Sequence, residues 1–278
     1  MNSQNELEVL ISAMRQNDFS LFYNAGISTD ALMINQCDRD ETEEKNINGN
    51  HIRIISTTER GLSKSRNLAL MNTEGKYALI CDDDEVLYKD YEEKILKAYA
   101  EYPDADLICF KVLREDKTYP DKASKIGYLK ALKISSVQIT MRVDKIKEAG
   151  IWFDERYGAG TPNGSGEETI FLYDCLNKGL KVYYVPVLIG EVKQTESTWF
   201  QGFDEAYFRK RGRIIRRLMG KKGIFYCVYF AMSKYSRFKE NMSMWKAFSL
   251  MVSGLKENES VSYGEIHDRS IANIKRGE

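Results

Sequence analysis

The stretch RGLSKSRNLALMNTEGKYALICDDDE, residues 60–85, places a helix, a strand and a cluster of acids in direct succession. Apolar residues at helical spacing follow Gly61, and Ser63 is positioned to be the N-cap of this helix. The apolar run of residues 77–81 then predicts a buried strand. The acids DDDE, residues 82–85, follow it directly. Because carboxylates this close repel one another, the strand end needs a cation, nearby bases or solvent to compensate them.

The segments on both sides of this stretch continue the alternation of strands and helices. Strands are predicted at Leu7–Met14, Ala31–Asn35, residues 51–57 and residues 105–113, and helices at Phe19–Ala25 and Tyr91–Tyr102. Residues 38–50 read as an acidic loop. This alternation predicts an α/β doubly wound sheet, in which ligands bind at the carboxyl ends of the strands. The acid cluster is therefore expected where substrates bind.

The pattern changes after residue 136. Residues 137–153 predict a strand, a polar turn or short helix, and a second extended piece. The glycine-rich loop YGAGTPNGSG, residues 157–166, precedes an amphipathic helix that Gly179 ends. Residues 180–190 predict one more strand, and beyond residue 195 the chain becomes aromatic, basic and helical in pattern.

Composition and charge place the chain among globular proteins. Its 278 residues, 43% of them hydrophobic, support a sizeable core. Basic and acidic residues balance at 41 each, so no net charge draws the chain toward nucleic acid. The five cysteines lack the paired spacing of a zinc site. Cys81, Cys109 and Cys175 lie in apolar or amphipathic stretches, which predicts buried thiols in a reducing compartment.

The N-terminus has no basic region followed by a long apolar core, so no signal peptide is recognised. No segment reaches the roughly 18 apolar residues of a membrane span. These two observations predict a cytoplasmic protein.

Three groups of residues could carry chemistry, and each has a structural alternative. The acids of residues 82–85 form either a solvated loop or a site for a divalent cation such as Mg²⁺, which takes carboxylates together with substrate phosphate oxygens. Arg66 is either a solvated charge or a phosphate contact in forked geometry. Glu167 and Glu168 either complement the dipole of the helix that they begin or supply a general base.

Three blocks of the sequence resemble, in this order, the family 2 glycosyltransferases with a GT-A fold. The blocks are LEVLISAM, RGLSKSRNLALMNTEGKYALICDDDE and GAGTPNGSGEETIFLYDCLNKGLKVYYVP. The resemblance covers roughly residues 7–190. It implies a doubly wound mixed sheet over residues 1–195, with a nucleotide-sugar half of about 1–115, an acceptor half of about 116–195 and a helical extension at 196–278.

The resemblance also implies roles for individual residues. Asp82 and Asp84 match the family's Asp-x-Asp pair, with Asp84 as the more direct metal ligand, and Glu168 or its neighbour Glu167 matches the catalytic base. The implied donor-binding residues are Ser12, Ala13, Gln36, Asp38, Arg66, Asp82 and Asp83. Asp38 is the nearest match for the acid that recognises the base, and Gln36 is the alternative.

The implied activity is that of an inverting glycosyltransferase dependent on Mn²⁺ or Mg²⁺. The donor would be a nucleotide-diphosphate sugar, in the first place a UDP-sugar, and the acceptor a glycan or a lipid-diphosphate-linked glycan of a bacterial surface polysaccharide such as capsule. The chain has no Gln-x-x-Arg-Trp motif and no membrane spans, which favours single addition over processive synthesis.

Two other functions remain to be weighed against this one. A nucleotidyltransferase acting on sugar phosphates also combines a doubly wound sheet with paired carboxylates, but it requires a glycine-rich loop after the first strand. Residues 12–20, SAMRQNDFS, contain no glycine. A non-catalytic module that binds nucleotides or glycans would be expected to have a broken acid pair or base.

The C-terminal third is predicted to contact a partner surface. Its basic stretch, residues 208–222, contains Arg209, Lys210, Arg211, Arg213, Arg216, Arg217, Lys221 and Lys222 and no acid. With the aromatic residues up to 232, it forms either a solvated helix face or a peripheral contact with an anionic membrane. No nucleic-acid motif is recognised. A stripe at helical spacing, comprising Met242, Trp245, Phe248, Val252 and Leu255, predicts a core or partner-helix face.

Overall fold

The computed structural model describes residues 6–115, 117–193 and 202–257. Its strands are β1 (Leu7–Met14), β2 (Asp30–Gln36), β3 (Glu41–Ile47), β4 (Asn50–Thr57), β5 (Tyr77–Asp82), β6 (Glu85–Leu87), β7 (Leu107–Leu113), β8 (Ser124–Lys125), β9 (Ile139–Arg142) and β10 (Val182–Val192). Its α-helices are α1 (Ser20–Asn24), α2 (Leu62–Asn72), α3 (Tyr91–Glu101), α4 (Tyr128–Ala131), α5 (Val143–Ala149), α6 (Glu167–Asn177), α7 (Glu205–Met219), α8 (Gly223–Ser233), α9 (Tyr235–Phe238) and α10 (Met244–Lys256).

The described strands form one mixed sheet. Their order is β3-β4-β2-β1-β5-β9-β7-β10-β6, and β8 pairs with β10 off this path. The neighbours β4, β2, β1 and β5 run parallel, whereas β9 is antiparallel to both β5 and β7. The predicted α/β mixed sheet with a helical C-terminal region is confirmed.

The strand β3 corrects the prediction of a loop at residues 38–50. It pairs antiparallel with β4 at the edge of the sheet. Its sequence, ETEEKNI, has no buried residue, so no apolar alternation marks it as a strand. Charged side chains on an edge strand oppose pairing with a second molecule.

The N-cap prediction for α2 is also wrong by two residues. The helix begins at Leu62, and Gly61 stands at the cap position with φ of 124°. Ser63 is instead buried within the first turn. A backbone with this φ favours glycine, which explains the residue found there.

The described residues group into two compact units. One contains those of 1–153 and 171–196, and the other contains those of 154–170 and 197–278. The sequence predicts that residues 154–170 belong to the acceptor half, whereas they group here with the C-terminal region.

The core of the first unit lies on the sheet. It is built from apolar residues of the central strands, such as Val9, Met33 and Leu79, each fully buried. Helix α3 covers this layer with Tyr91, Ile95 and further apolar residues. The burial of the central strands accounts for their nearly continuous apolar sequences.

The second unit is built from α7, α8 and α10. A Cβ on Gly212 of α7 would collide with the Met251 carbonyl, and one on Gly254 of α10 would collide with the Arg209 carbonyl. The two helices therefore meet at backbone contact. The predicted stripe on α10 is only in part a core face, because Trp245 remains 74% exposed.

Candidate active site

The acid cluster forms the tight turn between β5 and β6. Asp82 is the last residue of β5, and its Oδ1 accepts a hydrogen bond from Arg66 Nη2 at 2.9 Å. Ser136 Oγ donates to Asp82 Oδ2 at 3.4 Å. The carboxylate at the strand end is thus held by a base from α2 and a hydroxyl that the sequence pattern did not single out.

Arg66 is 1% exposed, so it holds Asp82 from inside the unit. Its guanidinium lies 5.5 Å from the centroid of the Phe153 ring. The neighbouring Asn67 fixes the Phe153 backbone with two hydrogen bonds, donating to the carbonyl at 3.0 Å and accepting from the N–H at 2.8 Å. Asn67 therefore fixes the position of Phe153, and the guanidinium of Arg66 lies against the ring of Phe153.

The charged forms of the other acids in the turn are disfavoured. Partial loss of water and the charge of Asp82 raise the pKa values of Asp83 and Asp84. Glu85 is 1% exposed, and burial followed by the charge of Asp82 raises its pKa well above the ordinary range. The turn is therefore a place where a cation would be stabilised.

The ends of β1 and β2 are tied to α2. Ser65 Oγ donates to Ser12 Oγ at 2.9 Å, and the Gly61 N–H donates to Gln36 Oε1 at 2.8 Å. Both Ser12 and Gln36 are buried. The side-chain oxygen of Gln36 is thus already engaged by the backbone of the helix start.

Two further residues predicted to bind the donor lie at the same edge of the sheet. Ala13 is buried within β1, whereas Asp38 is exposed just after β2. Between the two candidates for recognising a base, the exposed Asp38 has the accessible side chain. Its role stays a prediction.

A divalent cation, implied by the resemblance, fits this turn. No group of three or more His, Cys, Asp or Glu side chains in the described part of the chain is arranged to hold a metal. Mg²⁺ typically needs only one or two carboxylates when substrate phosphates supply further ligands. Asp82 is engaged by Arg66, and the role of Asp84 as the more direct metal ligand stays a prediction.

Glu167 and Glu168 form the first turn of α6 in the second unit. Glu167 is buried and Glu168 is half-buried. The preceding Gly166 has φ of 96°, and a Cβ there would come within 3.0 Å of Ile214. Glycine therefore allows the loop to close against α7 directly before the two glutamates.

The ion pairs that fix this loop could not be predicted from the sequence. Asp154 is 1% exposed and accepts hydrogen bonds from Arg156 Nη2 at 2.6 Å and Arg217 Nε at 2.9 Å. Burial raises the pKa of Asp154, but its bonds and charge interactions with the two arginines outweigh burial and lower it. The absence of acids between residues 208 and 222 was the one sequence signal that Arg217 has a distant partner.

A cavity of about 420 Å³ lies in the second unit between this loop and α7. A larger one of about 560 Å³ lies in the first unit beside Gly75 and Lys76, before the start of β5. The acids stand at the opposite end of β5, so the larger cavity is not part of the candidate site.

Comparison with known proteins agrees with this geometry. Residues 28–156 match the model of the family described as Glycosyl transferase family 2. No curated protein sequence matches this chain.

Two solved structures show the fold. TarS 1–349 of S. aureus in complex with UDP-GlcNAc has a TM-score of 0.62 at 15% identity, covering 90% of this chain and 79% of that one. The mannosyltransferase PcManGT from Pyrobaculum calidifontis, in complex with GDP-Man and Mn²⁺, has a TM-score of 0.52 at 12% identity, covering 96% and 80%. The GT-A fold is confirmed, and the family match supports a family 2 glycosyltransferase.

Proposed function

We propose that this chain is an inverting, metal-dependent glycosyltransferase. It transfers a sugar from a nucleotide-diphosphate donor, in the first place a UDP-sugar, to a hydroxyl of a glycan or lipid-diphosphate-linked acceptor in bacterial surface polysaccharide synthesis. The observation that carries the proposal is the acid turn, where Arg66 holds Asp82 at the strand end and leaves Asp84 available.

The donor is recognised at the edge formed by β1, β2 and β5. Ser12 and Ala13 line the nucleoside pocket and Asp38 contacts the base, whereas the side chain of Gln36 is engaged by the Gly61 N–H. The similarity to structures that hold UDP-GlcNAc or GDP-Man supports a nucleotide-sugar donor.

The reaction divides between the acid turn and Glu168. Asp84, with Asp82, would hold Mn²⁺ or Mg²⁺, which when bound stabilises the charge on the leaving diphosphate. Glu168 accepts the proton of the acceptor hydroxyl while the oxygen attacks the anomeric carbon from the face opposite the leaving group. The anomeric configuration is thereby inverted.

The donor site is tested by calorimetric titration of UDP and GDP with and without Mn²⁺. We expect Mn²⁺ to strengthen diphosphate binding, and Asp84→Ala to weaken binding in Mn²⁺ by about tenfold or more because a direct ligand is lost. Asp144→Ala, which removes an exposed acid on α5, is the matched control. If the affinity for UDP and GDP changes neither on addition of Mn²⁺ nor in the Asp84→Ala variant, the proposed metal site is wrong.

We further propose that the second unit contacts an anionic membrane surface, which would place the enzyme at the cytoplasmic face of the cell membrane. No described helix is long and apolar enough to cross a bilayer. Helix α8 nevertheless exposes apolar side chains along one side, namely Ile224, Phe225, Val228, Tyr229 and Met232. Phe225 is 77% and Met232 65% exposed.

Charge supports an anionic partner for this face. Lys221 and Lys222 are exposed directly before α8, and Arg237 and Lys239 are exposed after it. By contrast, Arg217 is held by Asp154 inside the unit, so the membrane contact is assigned to α8 rather than to the whole stretch of residues 208–232.

Sedimentation with vesicles tests the contact. Phe225→Ala combined with Met232→Ala should weaken binding to phosphatidylglycerol vesicles by about tenfold or more, because large apolar side chains insert at the interface. Lys221→Gln with Lys222→Gln should cost about fivefold per charge on anionic vesicles only. Trp245→Ala on α10 is the control for loss of an exposed aromatic. Equal binding by all variants would contradict this surface.

A further inference from the structure

The cavity between the glycine-rich loop and α7 has an unusual charge balance. Its described lining includes Lys210 and Arg211, together with a single acid, Asp204. Asp204 caps α7, since its Oδ1 accepts the Tyr207 N–H at 2.7 Å. The acid is therefore committed to the helix start and does not neutralise the two bases.

Four bases of α7 differ in their partners. Arg213 donates to Asn163 Oδ1 at 2.9 Å and pairs with Glu257 at 2.6 Å, and Arg217 pairs with Asp154. Lys210 and Arg211 form no hydrogen bond or ion pair with any described residue. Among the residues described, Arg213 and Arg217 are thus neutralised by acids, whereas Lys210 and Arg211 at the cavity are not.

One nitrogen of Arg211 lacks a hydrogen-bond acceptor within the described part of the chain. Its guanidinium lies 5.0 Å from the centroid of the Phe230 ring, which fixes the side chain against α8. Its Nε is buried and has no acceptor among the described residues. A buried donor without an acceptor is costly. Because Arg211 also lines the cavity, a ligand that supplies oxygens there would interact with its charge.

Lys210 lies over the loop. A Cβ added at Gly164, whose φ is 70°, would come 3.6 Å from Lys210 Nζ. The ammonium therefore lies close to the backbone of the loop, where glycine leaves room beside it. Arg213 and Asn163 fasten the same loop to α7, so the distance between the loop and the two bases is fixed.

We propose that this cavity binds the phosphate or diphosphate group of the acceptor, with Lys210 and Arg211 neutralising its charge. A phosphate offers several oxygens to one point charge and one forked donor, which is the combination present. The volume of about 420 Å³ falls in the usual range of ligand pockets, roughly 300–1,000 Å³, and admits more than the phosphate itself. The loop leads directly into Glu167 and Glu168, so assignment to the acceptor rests on the proposed function.

Calorimetry of the full chain with pyrophosphate and dimethylallyl diphosphate tests the site, in metal-free buffer so that the titrant is not complexed in solution. Lys210→Gln with Arg211→Gln should raise the Kd for both by about tenfold or more. Lys246→Gln with Lys256→Gln, which removes two exposed charges of α10 outside the cavity, should leave both values within about twofold. An unchanged Kd in the cavity variant, or an equal loss in the control, would overturn the site.

Further measurements distinguish a folding defect from a lost contact, identify the kind of ligand, and separate this site from the donor site. Lys210→Gln alone leaves the contact of Arg211 with Phe230 in place and should still weaken binding by at least about threefold, and an unchanged Kd would overturn its role. Binding of dimethylallyl diphosphate at least as tight as that of pyrophosphate supports an acceptor ligand. A clear preference of the cavity for pyrophosphate would overturn the assignment to the acceptor. Titration of UDP with Mn²⁺ should be unaffected by the cavity variant, so failure of the donor site and failure of this one are distinguishable.

Discussion

Glu168→Gln is expected to lower kcat for sugar transfer by about 10²–10⁴-fold, the usual contribution of a general base. Glutamine keeps the shape of the side chain and cannot accept the proton of the acceptor hydroxyl. Calorimetry should find the Kd for UDP in Mn²⁺ within about twofold of the wild-type value, because the residues proposed to bind the donor do not include Glu168. Single-turnover transfer measures the chemical step without product release.

Glu167→Gln is the matched control for this experiment. Glu167 is buried beside the half-buried Glu168 in the same helical turn, so the two variants differ in accessibility and not in chemistry. A larger loss in Glu167→Gln would move the base to that residue. Undiminished transfer in both variants would contradict a base at the start of α6.

Asp154→Ala is expected to lower the free energy of unfolding of the second unit by about 3–5 kcal/mol, because it leaves Arg156 and Arg217 without their buried partner. The urea midpoint should fall by about 1–5 M at a typical slope of about 1–3 kcal/mol/M. Because the pKa of Asp154 is lowered, its stabilisation is fully present above the ordinary pKa of an aspartate and is lost as the pH falls through the lowered value. The difference between variant and wild type should therefore shrink in acid.

Glu205→Ala provides the comparison on the same helix. Glu205 pairs with Lys246 at 2.6 Å, and both side chains are more than half exposed. Such a pair contributes about 1 kcal/mol or less. If the two variants unfold at the same urea concentration, the Asp154 cluster does not stabilise the unit.

Local signals were sufficient for most of the sheet. Strand β1 was predicted with its observed bounds, and β2 and β4 within one residue at each end, because buried parallel strands read as apolar runs. Strand β3 was missed since an exposed edge strand leaves no such pattern. The position of the acids at the end of β5 followed from the strand and the residues after it.

Contacts between distant residues could not be predicted. The sequence predicted that Arg66 lies near the acids. It predicted neither the complete burial of Arg66 nor its contact with Phe153, which lies 87 residues away along the chain. The basic stretch likewise read as one surface, although Arg217 is committed to Asp154 and Lys210 lines a cavity. Spacing along a helix gives the direction of a side chain, whereas its partner depends on the tertiary structure.

The position of β10 in the sheet constrains how the first unit can form during synthesis. This strand, Val182–Val192, lies between β7 and β6, both of which leave the ribosome more than 65 residues earlier. Until it emerges, β7 lacks one neighbour and β6 has none, so two strand edges stay open to other chains. A nascent chain halted after residue 153 would hold the whole acid turn and still be an aggregation-prone intermediate.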